Sequence, residues 1–350
     1  MAGIVRTAPL RALLVAGLML SGCSLVDGPD DTRTAAPDWE TVERTLSKPG
    51  LVIEKVRYRS GNLGIDGQVC RPDGPGPYPV LIWNHGGFSG LGDWNNPGGP
   101  CARLARSGWV FAESSYRGED ASDGRIEVCD GEVDDVLSML AVVRAKSYAD
   151  TKRMAMVGLS HGGCITARAV ARGAPVQVAV DSAGPANWVD IWRHLTRQAA
   201  SPSVKPALRG VSTRLLKTIE TALGGTPSEV PSEYARRSPV ESAEKIAQWD
   251  GSLLVMHGGA DRIVPPSQAC GLAREVGDFA AYRFSEAGRA LQRPPSDCHV
   301  TFHDASELRP GFRDQRYLLM YDGLEHTVQD LNRGRMVADY TRFLASKLGP

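Results

Sequence analysis

Gly158-Leu159-Ser160-His161-Gly162-Gly163 is the stretch on which the reading of this chain turns. A serine in the spacing G-x-S-x-G fits a sharp turn between a strand and a helix, which forces its hydroxyl clear of the backbone. The flanks agree with that geometry. Arg153-Met154-Ala155-Met156-Val157 is apolar and of strand length, and residues 164–172 are Ala-rich with helical character. Glycines at 158, 162 and 163 suit such a turn, because a Cβ there would collide with neighbouring backbone as the helix packs against the strand. A serine so placed becomes a nucleophile only if the chain also supplies a base, an acid and donors for an oxyanion.

Strands and helices alternate on both sides of the turn. Val80-Leu81-Ile82-Trp83-Asn84 is a continuous apolar run of the kind buried on both faces in a parallel sheet. Further strand patterns are Trp109-Val110-Phe111-Ala112-Glu113-Ser114, Val176-Gln177-Val178-Ala179-Val180, Leu253-Leu254-Val255-Met256-His257 and Arg316-Tyr317-Leu318-Leu319-Met320-Tyr321. Between them, residues 133–146 carry Val133, Val136, Leu137, Leu140 and Val143 at helical spacing, and residues 267–276 and 335–348 also read as helices. Residues 51–58 and 65–69 flank Ser60-Gly61-Asn62 as an antiparallel edge hairpin. Residues 188–250 break the regularity and read as a small helical insertion. The pattern predicts an α/β chain with a mostly parallel sheet, helices on both faces, and ligands at the carboxyl ends of the strands.

Four loops at those ends carry the chemistry: His85-Gly86-Gly87 after Asn84, the Ser160 turn, Gly258-Gly259-Ala260-Asp261 after His257, and Glu325-His326 after Tyr321. A serine hydroxyl needs a neutral imidazole to take its proton and a carboxylate to hold that imidazole's tautomer. Of the seven histidines, His161 is expected to leave with the helix, His85 belongs to a glycine loop, His194 to the insertion, and His257 to a strand end. His326, after the last strand, is the base. Asp261 is the acid, with Asp181, at another strand end, as its rival. The order Ser, Asp, His is that of the α/β-hydrolases. The backbone N–H of His161 is one oxyanion donor and that of Gly87 the second, with Gly86 and Phe88 as alternatives.

Taken together, His85-Gly86-Gly87-Phe88, Ser115-Tyr116-Arg117-Gly118, Gly158-Leu159-Ser160-His161-Gly162-Gly163, Ser238-Pro239, His257-Gly258-Gly259-Ala260-Asp261 and Leu324-Glu325-His326 resemble the catalytic domain of the prolyl oligopeptidase family and its dienelactone-hydrolase-like relatives. The resemblance runs from about residue 51 to the C-terminus. It implies an α/β-hydrolase fold with an eight-stranded sheet and Ser160, Asp261 and His326 as a triad; Arg117 falls in a loop that recurs in those peptidases, where a structural ion pair is expected ahead of a substrate contact. Two departures follow. About 27 residues separate Cys23 from Leu51, whereas oligopeptidases of the family carry a β-propeller ahead of the hydrolase domain that filters substrates. An extra segment, residues 282–314, is also expected to overhang the site with the 188–250 insertion; its Asp297-Cys298-His299 and His303-Asp304 read as loop residues beside a disulfide and not as a metal site.

A content of 42% hydrophobic residues over 350 residues supports one large core, and 40 basic against 40 acidic residues advertise no face to nucleic acid. Arg6 and Arg11 precede a short apolar run ending in Leu20-Ser21-Gly22-Cys23. This resembles a bacterial lipobox, implying a signal peptide over 1–22, acylation of Cys23, a lipidated tether over 23–50 and a hydrolase domain over 51–350, exported and membrane-anchored. The other six of seven cysteines permit up to three disulfides in an oxidising compartment; the expected pairs are Cys101 with Cys129 and Cys270 with Cys298, with Cys164 read as a free core thiol at least as readily as a bridged one. No cofactor and no metal are expected. The functional expectation is a serine esterase working through an acyl-enzyme on a small-molecule ester. The alternatives are a peptidase acting on short or N-blocked peptides and, in another class, a non-catalytic envelope-binding lipoprotein.

Overall fold

The computed structural model describes residues 38–48, 50–92, 96, 98–285, 298–308, 311–327 and 334–349. The expected signal segment, Cys23 and most of the expected tether lie outside the described residues, as does Asp297. The strands are β1 (Trp39–Lys48), β2 (Leu51–Ser60), β3 (Leu63–Pro72), β4 (Tyr78–Asn84), β5 (Val110–Ser114), β6 (Ala149–Leu159), β7 (Val178–Ser182), β8 (Ser252–Gly258), β9 (Ala280–Phe284), β10 (Phe302–Asp304) and β11 (Arg316–Tyr321). They form one sheet in the order β1-β2-β3-β5-β4-β6-β7-β8-β11-β9-β10. The β1/β2, β2/β3 and β3/β5 pairs are antiparallel and the remainder are parallel.

The helices are α1 (Pro100–Arg106), α2 (Gly131–Arg144), α3 (His161–Ala171), α4 (Trp188–Ala200), α5 (Pro206–Leu223), α6 (Pro231–Arg237), α7 (Ala243–Ala247), α8 (Ser267–Val276) and α9 (Gly334–Leu348). Successive strand residues point to opposite faces, and both faces are covered. Val80 and Ile82 of β4 and Met154 and Met156 of β6 pack with α2 and α3. Leu81, Trp83, Ala155 and Val157 pack on the other face with α1 and α9. That double burial is why the central strands read as unbroken apolar runs.

Three expectations are corrected. The sheet has eleven strands among the described residues, not eight. Part of the difference is β1, which pairs antiparallel with β2 where a tether to residue 50 was expected; as an edge strand it carries a polar sequence that gives no burial signal. The rest is β9 and β10, which extend the sheet beyond β11. Within the 282–314 segment, the end of β9 and all of β10 thus build sheet edge. Arg117 does form its ion pair, its Nη2 lying 2.9 Å from Oδ1 of the buried Asp135.

The disulfides are Cys70–Cys101, Cys129–Cys164 and Cys270–Cys298. The expected Cys101–Cys129 bridge is excluded by the sheet itself. Cys70 and Cys101 lie in the core between the sheet and α1, while Cys129 and Cys164 lie in the core on the α2/α3 side. Non-reducing peptide mapping is expected to recover these three pairs and no Cys101–Cys129 bridge. Replacing Cys70 and Cys101 together with alanine is expected to lower the unfolding free energy by about 2–4 kcal/mol, measured by urea denaturation, with kcat unchanged.

Candidate active site

Ser160 stands between β6 and α3 with φ 55° and ψ −120°, a left-handed backbone that a non-glycine residue adopts only when its surroundings compel it. Its own N–H donates to the Ser182 carbonyl at 2.8 Å, tying the turn to β7. A Cβ on Gly158 would overlap the Gly162 carbonyl and Thr166 Oγ1, and one on Gly162 would overlap the carbonyls of Asn84 and His85. The glycines in the motif therefore permit a close approach of α3 to the ends of β4 and β6.

His326 completes the relay. Its Nε2 lies 2.9 Å from Ser160 Oγ and its Nδ1 2.6 Å from Asp261 Oδ2. Oδ1 of Asp261 accepts the N–H groups of Ile263 and Val264, each at 2.9 Å, so the buried carboxylate is held from both sides. With its Nδ1 proton given to Asp261, the neutral imidazole turns the Nε2 lone pair toward the serine hydroxyl. The loops bearing acid and base are stitched together by Gly259 N–H to the Tyr321 carbonyl at 2.7 Å and Ala260 N–H to the Leu324 carbonyl at 3.0 Å. Arg283 of β9 adds a charge-assisted bond from Nε to Asp322 at 2.8 Å.

Asp181, the rival acid, does not reach the base. Its Oδ1 accepts Gly184 N–H at 2.9 Å, and burial raises its carboxyl to about 7 against that one hydrogen bond. His257 is buried with Nε2 2.8 Å from the Val264 carbonyl, and His194 Nε2 lies 2.8 Å from the Arg262 carbonyl. Among the described residues no group of three or more His, Cys, Asp or Glu side chains could hold a metal. Cys298 is in a disulfide, and His303 lies 3.5 Å from Glu307.

His161 opens α3, so its backbone N–H is a first-turn donor without a helical acceptor. The Gly86-Gly87 loop lies against the turn, for a Cβ on Gly86 would sit 2.9 Å from the Leu159 carbonyl and 3.0 Å from Ser160 Cβ. Gly87 has φ 80° with open space where a Cβ would be. His85 stacks on Tyr116 with ring centroids 4.1 Å apart, its Nδ1 lying 3.2 Å from the Gly86 carbonyl and its Nε2 3.3 Å from Glu119. Burial pulls the His85 imidazole down, but Glu119 and Glu113 outweigh it and leave it raised.

One feature escaped the sequence reading. The His161 side chain does not depart with its helix: it turns back to the Gly87 loop, as side chains of a first helical turn do. Beside Ser160, Gly87 and His161 lies a small pocket walled by Phe88 and Pro185, by Trp188, Ile191 and Leu195 of α4, by Leu215 and Ile219 of α5, and by Ile263 and Val264. The 188–250 insertion thus shapes the site, through helices whose apolar faces need covering.

A serine, an imidazole and a carboxylate hydrogen-bonded in series at three strand ends of such a sheet are the arrangement of a serine hydrolase of the α/β-hydrolase class. The model of the prolyl oligopeptidase family matches residues 101–278, just over half of the 350, and the chain belongs to that family. The matched stretch contains Ser160 and Asp261 and stops short of His326. The uncharacterized peptidase YtmA of Bacillus subtilis (strain 168) is 25% identical over 207 residues, covering 59% of this chain and 72% of that protein. In structure, the acylaminoacyl peptidase of Pyrococcus horikoshii matches with a TM-score of 0.59 at 16% identity over 86% of this chain, which spans only 42% of that peptidase. Acetyl xylan esterase 1 from Thermoanaerobacterium sp. JW/SL YS485 matches with a TM-score of 0.59 at 16% identity over 91% of this chain and 90% of the esterase. At such identities the structural likeness speaks for the fold. Membership of a hydrolase family displaces the non-catalytic alternative.

Asp261→Asn is expected to lower kcat by about 10³–10⁴-fold by removing the acceptor that sets the His326 tautomer, whereas Asp181→Asn leaves turnover intact, both read with one chromogenic substrate. Asp181 also has a stability signature. The folded carboxyl keeps its proton to about 7 while the unfolded one releases it near the ordinary value of 3.8. Its contribution is therefore full below that lower value and lost as the pH rises to about 7. The stability of Asp181→Asn relative to the natural chain is expected to climb between about pH 4 and 7 and then level, measured by denaturant unfolding across pH.

Proposed function

We propose that the chain hydrolyses carboxylic esters carrying a modest, uncharged apolar acyl or aryl group. The observation behind this reading is the pocket against Ser160, whose lining holds no charged side chain. Ser160 Oγ attacks the ester carbonyl as His326 Nε2 takes its proton, and Asp261 stabilises the imidazolium. The N–H groups of His161 and Gly87 receive the oxyanion. His326 then protonates the leaving alkoxide. Water, deprotonated in turn by His326, attacks the acyl-enzyme and regenerates the serine.

A second reading is a peptidase for short or N-blocked peptides, supported by membership of the prolyl oligopeptidase family and by the similarity to the Bacillus subtilis peptidase YtmA. The same pocket favours blocked termini, since a free α-ammonium would find no counter-charge in it. Acylation of Cys23 would hold either enzyme at a membrane; Cys23→Ser is then expected to move the protein from the membrane fraction to the soluble one, read by fractionation.

Fluorophosphonate labelling is expected for the purified protein and not for Ser160→Ala; an unlabelled natural chain would refute the hydrolase mechanism. Among 4-nitrophenyl esters and aminoacyl or peptidyl anilides, kcat/KM is expected to be highest for esters, and a dominant anilide activity would establish the peptidase instead. Ile219→Trp, which fills the pocket, is expected to cost butyryl or longer esters about ten-fold or more relative to acetyl.

A further inference from the structure

The His161 ring meets a hydrogen-bond partner at each nitrogen. Cys129 N–H points at Nε2 from 2.9 Å, and the Gly87 carbonyl lies 3.2 Å from Nδ1. A backbone N–H can only donate, so Nε2 must carry the lone pair and the proton of the neutral ring must sit on Nδ1. That proton is donated to the Gly87 carbonyl. Burial, helped by the nearby His85 charge, pulls the imidazole down to about 3, so the ring stays neutral in ordinary buffers. Phe88 covers it, ring centroids 4.6 Å apart. The anchor is itself fixed, because Cys129 is bridged to Cys164, one turn along α3 from Ser160.

We propose that the His161 side chain is a positioning residue that latches the Gly87 loop in register with Ser160, with Cys129 setting its tautomer and the Cys129–Cys164 bridge tying the anchor to the nucleophile's own helix. The proposal rests on the reading of Ser160 as nucleophile and of this loop as oxyanion donor. The physical reason is planarity: holding the Gly87 carbonyl fixes the Gly87–Phe88 peptide plane, and through the Gly87 Cα that plane shares with the preceding one it restrains the Gly86–Gly87 peptide, which carries the Gly87 N–H. One residue thereby supplies a donor from its backbone and aligns the opposing donor with its ring. Such alignment acts on the transition state, where charge gathers on the oxygen, and little on the bound ester.

Two amide side chains separate the two hydrogen bonds. In His161→Asn the amide nitrogen stands near the former Nδ1 and can still reach the Gly87 carbonyl; in His161→Gln the amide group stands near the former Nε2 and reaches only Cys129. On a 4-nitrophenyl ester, with active sites titrated by fluorophosphonate, Asn is expected to stay within about five-fold of the natural chain. Gln and Phe are expected to lose about 10²-fold in kcat with KM unchanged and labelling still stoichiometric. Equal losses in Asn and Gln would overturn the latch. A 15N-histidine spectrum of the unsubstituted protein tests it without any variant: the Nδ1–H tautomer is expected for His161, and an Nε2–H tautomer would overturn the proposal. A natural chain that neither labels nor turns over ester removes the hydrolase reading itself, and the latch with it.

Discussion

Where the first turn of α3 meets the ends of β4, β6 and β7, backbone lies so close to backbone that no Cβ fits, and the rest of the site depends on that contact. Gly162 lies against the Asn84 and His85 carbonyls, and Gly163 against Asp181 and Gly184. Asn84 Nδ2 donates to Thr166 Oγ1 at 2.7 Å, and Ser160 N–H to Ser182. With three strand ends gathered on one helical turn, the backbone at Ser160 has no relaxed alternative, and the strain at φ 55° is borne by tertiary packing. The same crowding decides what Asp181 does. Wedged beneath the turn, it is a buried spacer with one backbone donor, and the acid has to come from a strand farther along.

Buried polar groups in this core differ mainly in how many partners they have. Asp261 receives two backbone N–H groups and His326, and its oxygens are occupied in a way that aims one of them at the base. Glu113 has the Gln68 amide at 2.8 Å, and burial raises its carboxyl to about 7. Glu132 is raised to about 7 by burial despite bonds from Glu127, Val128 and Asp130. Burial penalises the charged form in each case, and the local hydrogen bonds decide how far that penalty is offset. For the imidazoles the result is a division: His85 faces Glu119 and is raised, while His161 faces neutral backbone groups and is lowered.

The serine turn, the apolar strands and the Ser, Asp, His order were legible because each obeys a local rule: glycine at a close approach, period-two burial, chemistry at strand ends. The disulfide partners were not legible. Cys101 and Cys129 are 28 residues apart in sequence, yet a sheet stands between them, and only three-dimensional topology reveals which face each cysteine occupies. Edge strands were missed for a related reason. β1 and β10 are paired on one side only, so selection for apolar residues is weak and their patterns read as loop. The turn of the His161 ring toward Cys129 was likewise invisible, since its partner is a backbone amide, and backbone donors leave no trace in residue type.

The helices between β7 and β8 show why substrate choice was the hardest property to read. The catalytic groups are held by strand ends and by bonds between loops, such as Ala260 to Leu324 and Arg283 to Asp322, and α4 reaches the acid loop through His194 and Gln198 at the Arg262 carbonyl. The pocket wall, in contrast, is made from the faces of α4 and α5 that pack together over the serine, with Trp192 Nε1 donating to Glu220 across them at 2.7 Å. A change of volume at Leu215 or Ile219 therefore alters what fits beside Ser160 without disturbing the turn, the relay or the oxyanion loop. Chemistry and selectivity reside largely in different parts of the chain, and a motif that identifies the first carries little information about the second.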